Sequence, residues 1–252
     1  MRVMKNRVKK TLSNFWKNVI APKNWQRQLN TRLGFFTWVV VLLVLKTILA
    51  YIADFEWLHV QDPIQVVLML LNPVGFTVML LSLTLFIKSK QLYYGALLVL
   101  DAVMTLLLYL NVIYFREFSD FMSVNTMLGY NTVNQGSKAA GAIAFGIHDF
   151  LFWIDIVILI VLLLARKIHF DNKQVMRFKP FQVFTIGSFL LVANLLVADI
   201  DRPQLLTRQF DREYMVKYLG IGPFMIYDAI NTYQTGQVRK SATPEELTRV
   251  KN

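Results

Sequence analysis

The chain has 252 residues, 55% of them apolar, and a mean hydropathy of +0.43. A soluble domain cannot bury that much apolar side chain behind a polar surface, so the composition places the chain in a bilayer and leaves no room for a sizeable soluble domain. The net charge of +11 does not mark a nucleic-acid partner, because Lys and Arg sit between apolar runs instead of on one soluble face. The absence of cysteine excludes disulfides, Cys-ligated zinc and thiol catalysis.

Residues 1–32 open the chain with nine Lys and Arg and no acid. Met4, Val8, Leu12, Phe15, Trp16, Val19 and Ile20 repeat at helical spacing, with Lys5, Lys9, Lys10 and Lys17 on the rest of the wheel. That pattern predicts a basic amphipathic helix lying on the inner leaflet, ended by Pro22 and drawn to anionic headgroups. Five apolar runs follow, at 33–53, 64–87, 92–115, 146–165 and 181–198. Each approaches the ~20 residues needed to cross a hydrocarbon core. The predicted fold is all-α and polytopic, a transmembrane domain over 33–198. Its first run is too long, and lacks the small-x-small site, for a removable signal peptide.

An odd number of spans puts the ends on opposite sides, and the basic residues choose which. Lys88, Lys90 and five more between Arg166 and Lys179 join the N-terminal nine, whereas the opposite loops hold only Arg116 and Lys138. The N-terminus is therefore expected in the cytoplasm and residues 199–252 outside the cell. Trp38, Trp57, Trp153, Tyr51, Tyr93, Tyr94 and Tyr114 fall near span ends, as an aromatic belt requires.

Two outer segments read as more than solvated loops. Residues 116–145 carry Phe118, Phe121, Met122, Met127 and Leu128 and then a small-residue run over 136–144, which predicts short helices on the outer leaflet. After the fifth run, Asp201 and Pro203 predict a helix start, with the helix running through Leu206, Phe210 and Met215 towards Gly220. A second juxtamembrane helix is expected from Pro223 to about Tyr233, and Thr243 with Glu246 forms a capping box near the end of the sequence.

Metal and nucleophile chemistry find no support in the residue pattern. His59, His148 and His169 have no metal-ligand spacing, Gly220-Ile221-Gly222 is a helix stop and not a nucleotide loop, and no cofactor is expected in this chain. The cluster Asp54, Glu56, His59 and Asp62 reads as a solvated acidic turn. Polar groups inside the spans are more informative, since ionisable side chains there cost a few kcal/mol each. Lys46 lies ~20 Å and Asp101 ~14 Å above the inner boundary at the helical rise. Asn72, Asp155 and Asn194 fall at similar depth, so each span contributes one residue to a polar layer. Lys46 is expected to pair with Asp155 or Asp101, with the asparagines around them, either to fix helix packing or to line a cavity for a lipid headgroup.

Four stretches carry a family resemblance: Leu45-Lys46-Thr47, Leu71-Asn72-Pro73, Leu106 to Phe121 and Asp201 to Gly220. Together they resemble the N-terminal membrane region of the lipoteichoic acid synthases of Gram-positive bacteria, over nearly the whole chain. The resemblance implies a glycerophosphotransferase that moves glycerol phosphate from phosphatidylglycerol to a growing polyglycerophosphate chain and releases diacylglycerol. It implies an extracellular domain of the alkaline phosphatase and sulfatase type, with a threonine nucleophile and manganese, expected beyond Asn252. By resemblance, the juxtamembrane stretch is also a place for signal peptidase to cut, with Ala242 the last residue before a cut; Lys240, where a small residue belongs, argues against that site.

The resulting expectation is a multi-pass cell-membrane anchor for cell-wall lipoteichoic acid biosynthesis, inactive by itself, that holds the catalytic domain near its lipid substrate. Arg116, Arg202, Arg208, Arg212 and Lys217, with Lys46, are the candidates for meeting phosphatidylglycerol headgroups. The rival expectation is a scaffold that binds envelope-synthesis proteins or a second copy of itself, using the small-residue run and the Met-rich loop as docking surfaces. A lipid transporter is the weakest of the three, because the spans show no two-half repeat and only the Asn72-Pro73 position suggests a break.

Overall fold

The computed structural model describes residues 29–127, 147–164, 179–206 and 211–241. Among these the regular elements are all helical, in the order α1 (Arg32–Ala53), α2 (Pro63–Ser82), α3 (Lys90–Phe118), α4 (Val124–Met127), α5 (Ile154–Leu164), α6 (Pro180–Asp201), α7 (Arg212–Leu219) and α8 (Ile221–Ser241). Short 3₁₀ turns at Glu56–His59, Leu83–Phe86 and Ile147–Phe152 join them.

The helix ends follow local chemistry. Thr31 caps α1 by accepting a hydrogen bond from the Gly34 N–H at 2.9 Å. Pro63 and Pro180 occupy the first positions of α2 and α6, where a missing N–H costs nothing. Ser119 ends α3 in the left-handed region, with φ 50°. Pro73 does not break α2, contrary to the sequence expectation, and the helix runs on to Ser82. A proline removes one backbone hydrogen bond, and the flanking turns and neighbouring helices carry the helix across it.

Among the described residues four helices are long and apolar enough to cross a membrane: α1, α2 with its 3₁₀ extension to Phe86, α3 and α6. The expected run over 146–165 is represented by the Ile147–Phe152 turn and the shorter apolar α5. Its continuation, like the basic N-terminal helix, the small-residue run at 136–144 and the capping box at 243–246, lies outside the described residues.

The spans pack as two stacked cores. One, towards the Arg32 end, gathers Phe35, Val39, Leu43, Leu81, Tyr93 and Leu97. The other, towards the α7 end, gathers Tyr51, Phe55, Leu68, Val112, Phe121 and Val216. Helices α2 and α6 approach to backbone contact. A Cβ at Gly187 would lie 2.5 Å from the Met79 nitrogen, and one at Gly75 would lie 2.9 Å from the Leu191 nitrogen. Small residues at such a crossing let two helices meet where apolar burial offers no net drive in lipid. Large apolar side chains such as Phe189, Ile200, Val157 and Leu164 face outwards on α6 and α5, as lipid-facing surfaces do.

The segment after α6 departs most from expectation. Pro203 sits in a turn at 203–206 and not at the start of a helix, because α6 itself continues to Asp201. Helix α7 does not lie over the bundle. Met215 through Leu219 are all buried against α2 and α6. Gly220 ends α7 with φ 86°, and α8 then runs without interruption to Ser241.

Candidate functional site

Two polar clusters occupy the bundle. In the first, Lys46 Nζ on α1 lies 2.8 Å from Asp155 Oδ2 on α5 and 3.6 Å from Asp101 Oδ1 on α3. It also donates to Thr105 Oγ1 at 2.7 Å and to the Phe152 carbonyl at 3.3 Å. Asp101 is fully buried and Lys46 is 8% exposed. One ammonium is thus shared by two carboxylates from two other helices. A buried charge is tolerated in this way, through close partners and hydrogen bonds on its remaining donors.

The second cluster is built on amides. Asn72 Nδ2 donates to the Lys217 carbonyl at 3.3 Å and Asn194 Nδ2 to the Tyr218 carbonyl at 2.8 Å. These are carbonyls of the last turn of α7, where helical partners run out. Asn72 Oδ1 accepts from the Tyr51 hydroxyl at 3.2 Å. Gln65 Nε2 donates to the Tyr218 hydroxyl at 3.1 Å, and that hydroxyl donates to Asp201 Oδ2 at 2.5 Å. The expected single layer therefore divides. Lys46, Asp101 and Asp155 come together, while Asn72 and Asn194 turn to the backbone of α7.

The candidate cations divide too. Arg116 donates from Nε (3.0 Å) and Nη2 (2.6 Å) to Asp54 and from Nη1 (2.8 Å) to Asp149, tying the end of α1 to the turn before α5. Arg212 pairs with Asp120 and donates to the Phe121 carbonyl at 3.3 Å. Arg202 donates from Nε to the Tyr218 hydroxyl at 3.3 Å and faces the Tyr214 ring at 5.7 Å. Lys217 is 2% exposed; it donates to the His59 carbonyl at 3.2 Å and lies 4.7 Å from the same Tyr214 ring. Arg208 lies outside the described residues.

Burial pushes the Lys217 ammonium below its ordinary range; Glu213 opposes this and nearby Arg202 reinforces it. Burial also raises the Tyr218 hydroxyl, reinforced by its bond to Asp201. The acidic turn is less free than the sequence implies. Asp54 holds Arg116, and His59 Nδ1 lies 2.9 Å from Glu213 Oε1.

A cavity of about 30 Å³ lies between α1, α2, α3 and the start of α8, with Thr47, Tyr51, Asn72, Thr77, Gly220 and Pro223 among its lining. That volume suits roughly one or two water molecules. Lys46, Asp101 and Asp155 do not line it. Among the described residues no three His, Asp or Glu side chains converge to hold a metal, so the manganese implied by resemblance has no fitting ligand set there.

Residues 11–241 match the family model described as "Lipoteichoic acid synthase N-terminal domain". This chain belongs to the lipoteichoic acid synthase family. Curated relatives named lipoteichoic acid synthase from Staphylococcus aureus strains USA300 and COL are each 36% identical over 222 residues, 87% of this chain and 33% of the relative. The chain therefore spans about a third of the length of these synthases. No solved structure matches it. Within the synthase N-terminal domain, the sequence pattern exposed the polar residues of the spans and the pairing of Lys46 with Asp155 and Asp101, but missed the partners of Asn72 and Asn194. Gln65, Asp149 and Tyr218 carry no spacing signal, because their role depends on which helices become neighbours.

Proposed function

We propose that these residues are the membrane-anchoring domain of a lipoteichoic acid synthase-like glycerophosphotransferase. Such an enzyme moves glycerol phosphate from phosphatidylglycerol to a polyglycerophosphate chain and releases diacylglycerol. The carrying observation is the match of residues 11–241 to the synthase N-terminal domain, together with the apolar helices that a membrane anchor requires. In this reading five spans cross the cell membrane, the Arg32 end is cytoplasmic and the α7 end is extracellular, which the distribution of Lys and Arg supports. The domain keeps the catalytic part, with its manganese, at the leaflet that holds the lipid. Confining enzyme and substrate to one surface raises their effective concentration without chemistry from the helices.

Arg116 and Arg212 are held by carboxylates, so their first role is to shape the extracellular end of the bundle. Arg202 is the better contact for a phosphatidylglycerol headgroup, since among the described residues only its Nε is engaged in a hydrogen bond. Native mass spectrometry of the chain offered phosphatidylglycerol against phosphatidylethanolamine and cardiolipin tests this. Selective retention of phosphatidylglycerol, lost on Arg202→Ala, is expected. Equal retention of all three lipids removes the headgroup role and leaves an anchor or a docking platform for other envelope-synthesis proteins. The cysteine-free sequence allows the sidedness to be read by labelling single cysteines at Lys88 and Glu117 in intact cells. Only the second should react with an impermeant reagent.

A further inference from the structure

We propose that α7 and the first turn of α8 form a re-entrant wedge, pinned inside the bundle by Asn72 and Asn194, which makes α8 a rigid strut and not a flexible tether. Asn72 lies nine residues inside α2 from Pro63, about 14 Å along its axis, and Asn194 lies seven residues from Asp201, about 10 Å along α6. Both amides reach the end of α7, so its C-terminus sits well below the ends of the spans it touches. In a membrane, irregular backbone is tolerated at such depth only where protein supplies its hydrogen bonds. The two amides do this by accepting the role that the next helical turn would have filled.

The apex itself is fitted to the spans. A Cβ at Gly220 would lie 2.8 Å from Asn72 Oδ1, and one at Gly222 would lie 2.2 Å from the Phe76 ring. Gly220 also has φ 86°, a conformation that glycine alone adopts without strain. Beyond the apex, Phe224 and Met225 are buried while Ile226, Ile230 and Tyr233 are exposed. Tyr227, Asp228, Ala229, Asn231 and Thr232 stay half-buried, whereas Gln234, Thr235 and Gln237 are exposed, so α8 leaves the bundle after Thr232. A helix of its 21 residues is about 32 Å long, more than twice the depth of the apex, which is enough length for its far half to reach past the spans.

Two further braces hold α8 at that exit. The Tyr227 hydroxyl donates to the Leu206 carbonyl at 2.9 Å, and Asp228 Oδ2 accepts from the Val124 N–H at 2.6 Å. The strut is thus fixed at its foot by α2 and α6, and at its exit by the turn after α6 and the segment after α3. Resting on the anchoring role proposed above, this gives the polypeptide beyond α8 a set height and direction relative to the spans.

Gly95 and Gly236 both have open space where a side chain would begin, which suits them for spin labels. Pulsed electron-spin distance measurement on the 252-residue chain in lipid nanodiscs, labelled at Gly95→Cys and Gly236→Cys, should give one narrow distance peak. In the Asn72→Ala, Asn194→Ala background that peak should be lost, while a Gly95→Cys, Phe189→Cys pair within the spans keeps its distance. If the double background also disturbs the span pair, Asn194→Ala alone is read by the same criterion. A broad distribution in the parent chain, or a narrow peak that survives with both amides removed, overturns the strut. Neither result depends on glycerophosphate transfer or lipid binding, so failure of the strut is distinguishable from failure of the anchoring role.

Discussion

The two sides of the bundle solve the same problem by different chemistry. On the side of α1, α3 and α5, helices are joined by charge: Lys46 meets Asp101 and Asp155, and Arg116 meets Asp54 and Asp149. On the side of α2, α6 and α7, they are joined by close backbone approach and neutral amides. The contrast tracks what each side has to hold. Only Ile156 and Leu159 of α5 are buried, so ion pairs supply the specificity that its side-chain packing lacks. Helix α6 touches α2 along glycine faces, and α7 brings a helix end with unpaired carbonyls, for which an amide donor is the natural partner.

The difference is sharpest when one partner is removed. Lys46→Met leaves two carboxylates without their cation in a low-dielectric interior. It should destabilise the domain by about 3–5 kcal/mol, the scale found for breaking buried pairs. A large drop in thermal midpoint in detergent is the expected reading, and an unchanged midpoint removes the charged side of the comparison. Gly187→Leu tests the opposite side. Its side chain would begin 2.5 Å from the Met79 backbone, so the helices must separate, at a cost of about 1–3 kcal/mol from overpacking. Gly95→Leu, placed in open space, serves as the control and should be near neutral.

Asn194→Ala should cost less, about 1 kcal/mol, in line with measured interhelical hydrogen bonds in membranes. Its effect is expected in the exchange of the α7 amides more than in the midpoint of the whole domain. The smallest expected effect is one of pH. The folded-state ammonium of Lys217 titrates below its ordinary 10.5, so the fold holds fewer protons there than the unfolded chain does. The cost of its burial is full at lower pH and is relieved as pH rises towards that ordinary value. The parent chain should therefore gain stability relative to Lys217→Met as pH rises towards 10.5, a difference from which the tyrosines common to both chains cancel. A constant difference over that rise contradicts the burial of a charged Lys217.

Much of the architecture was legible in the sequence because a bilayer imposes simple length and polarity rules. The ranges of α1, α2, α3 and α6 follow from apolar runs of suitable length. Lys46, Asp101 and Asp155 were visible as a set because each is costly in lipid without a partner. Asn72 and Asn194 were visible for the same reason, but their partners were not. An amide can bond to a charge, to another amide or to any free carbonyl, and nothing local distinguishes these. The helix expected to begin at Pro203 failed for a related reason: a proline two residues after an aspartate suits a helix start or a turn equally well.

By itself the sequence determined that this chain is helical, lives in a membrane, and carries a few polar residues that need company there. Those properties depend on composition and periodicity along the chain, which are local. Only the tertiary structure decided that α7 turns into the bundle, that two span asparagines hold its end, and that Arg116 and Arg212 are held by aspartates. Each of these depends on which helices become neighbours, through contacts between residues 24 to 145 positions apart in the chain. No periodicity within a single segment encodes that choice; it is made where glycine faces, buried amides and unpaired carbonyls fit one another across the bundle.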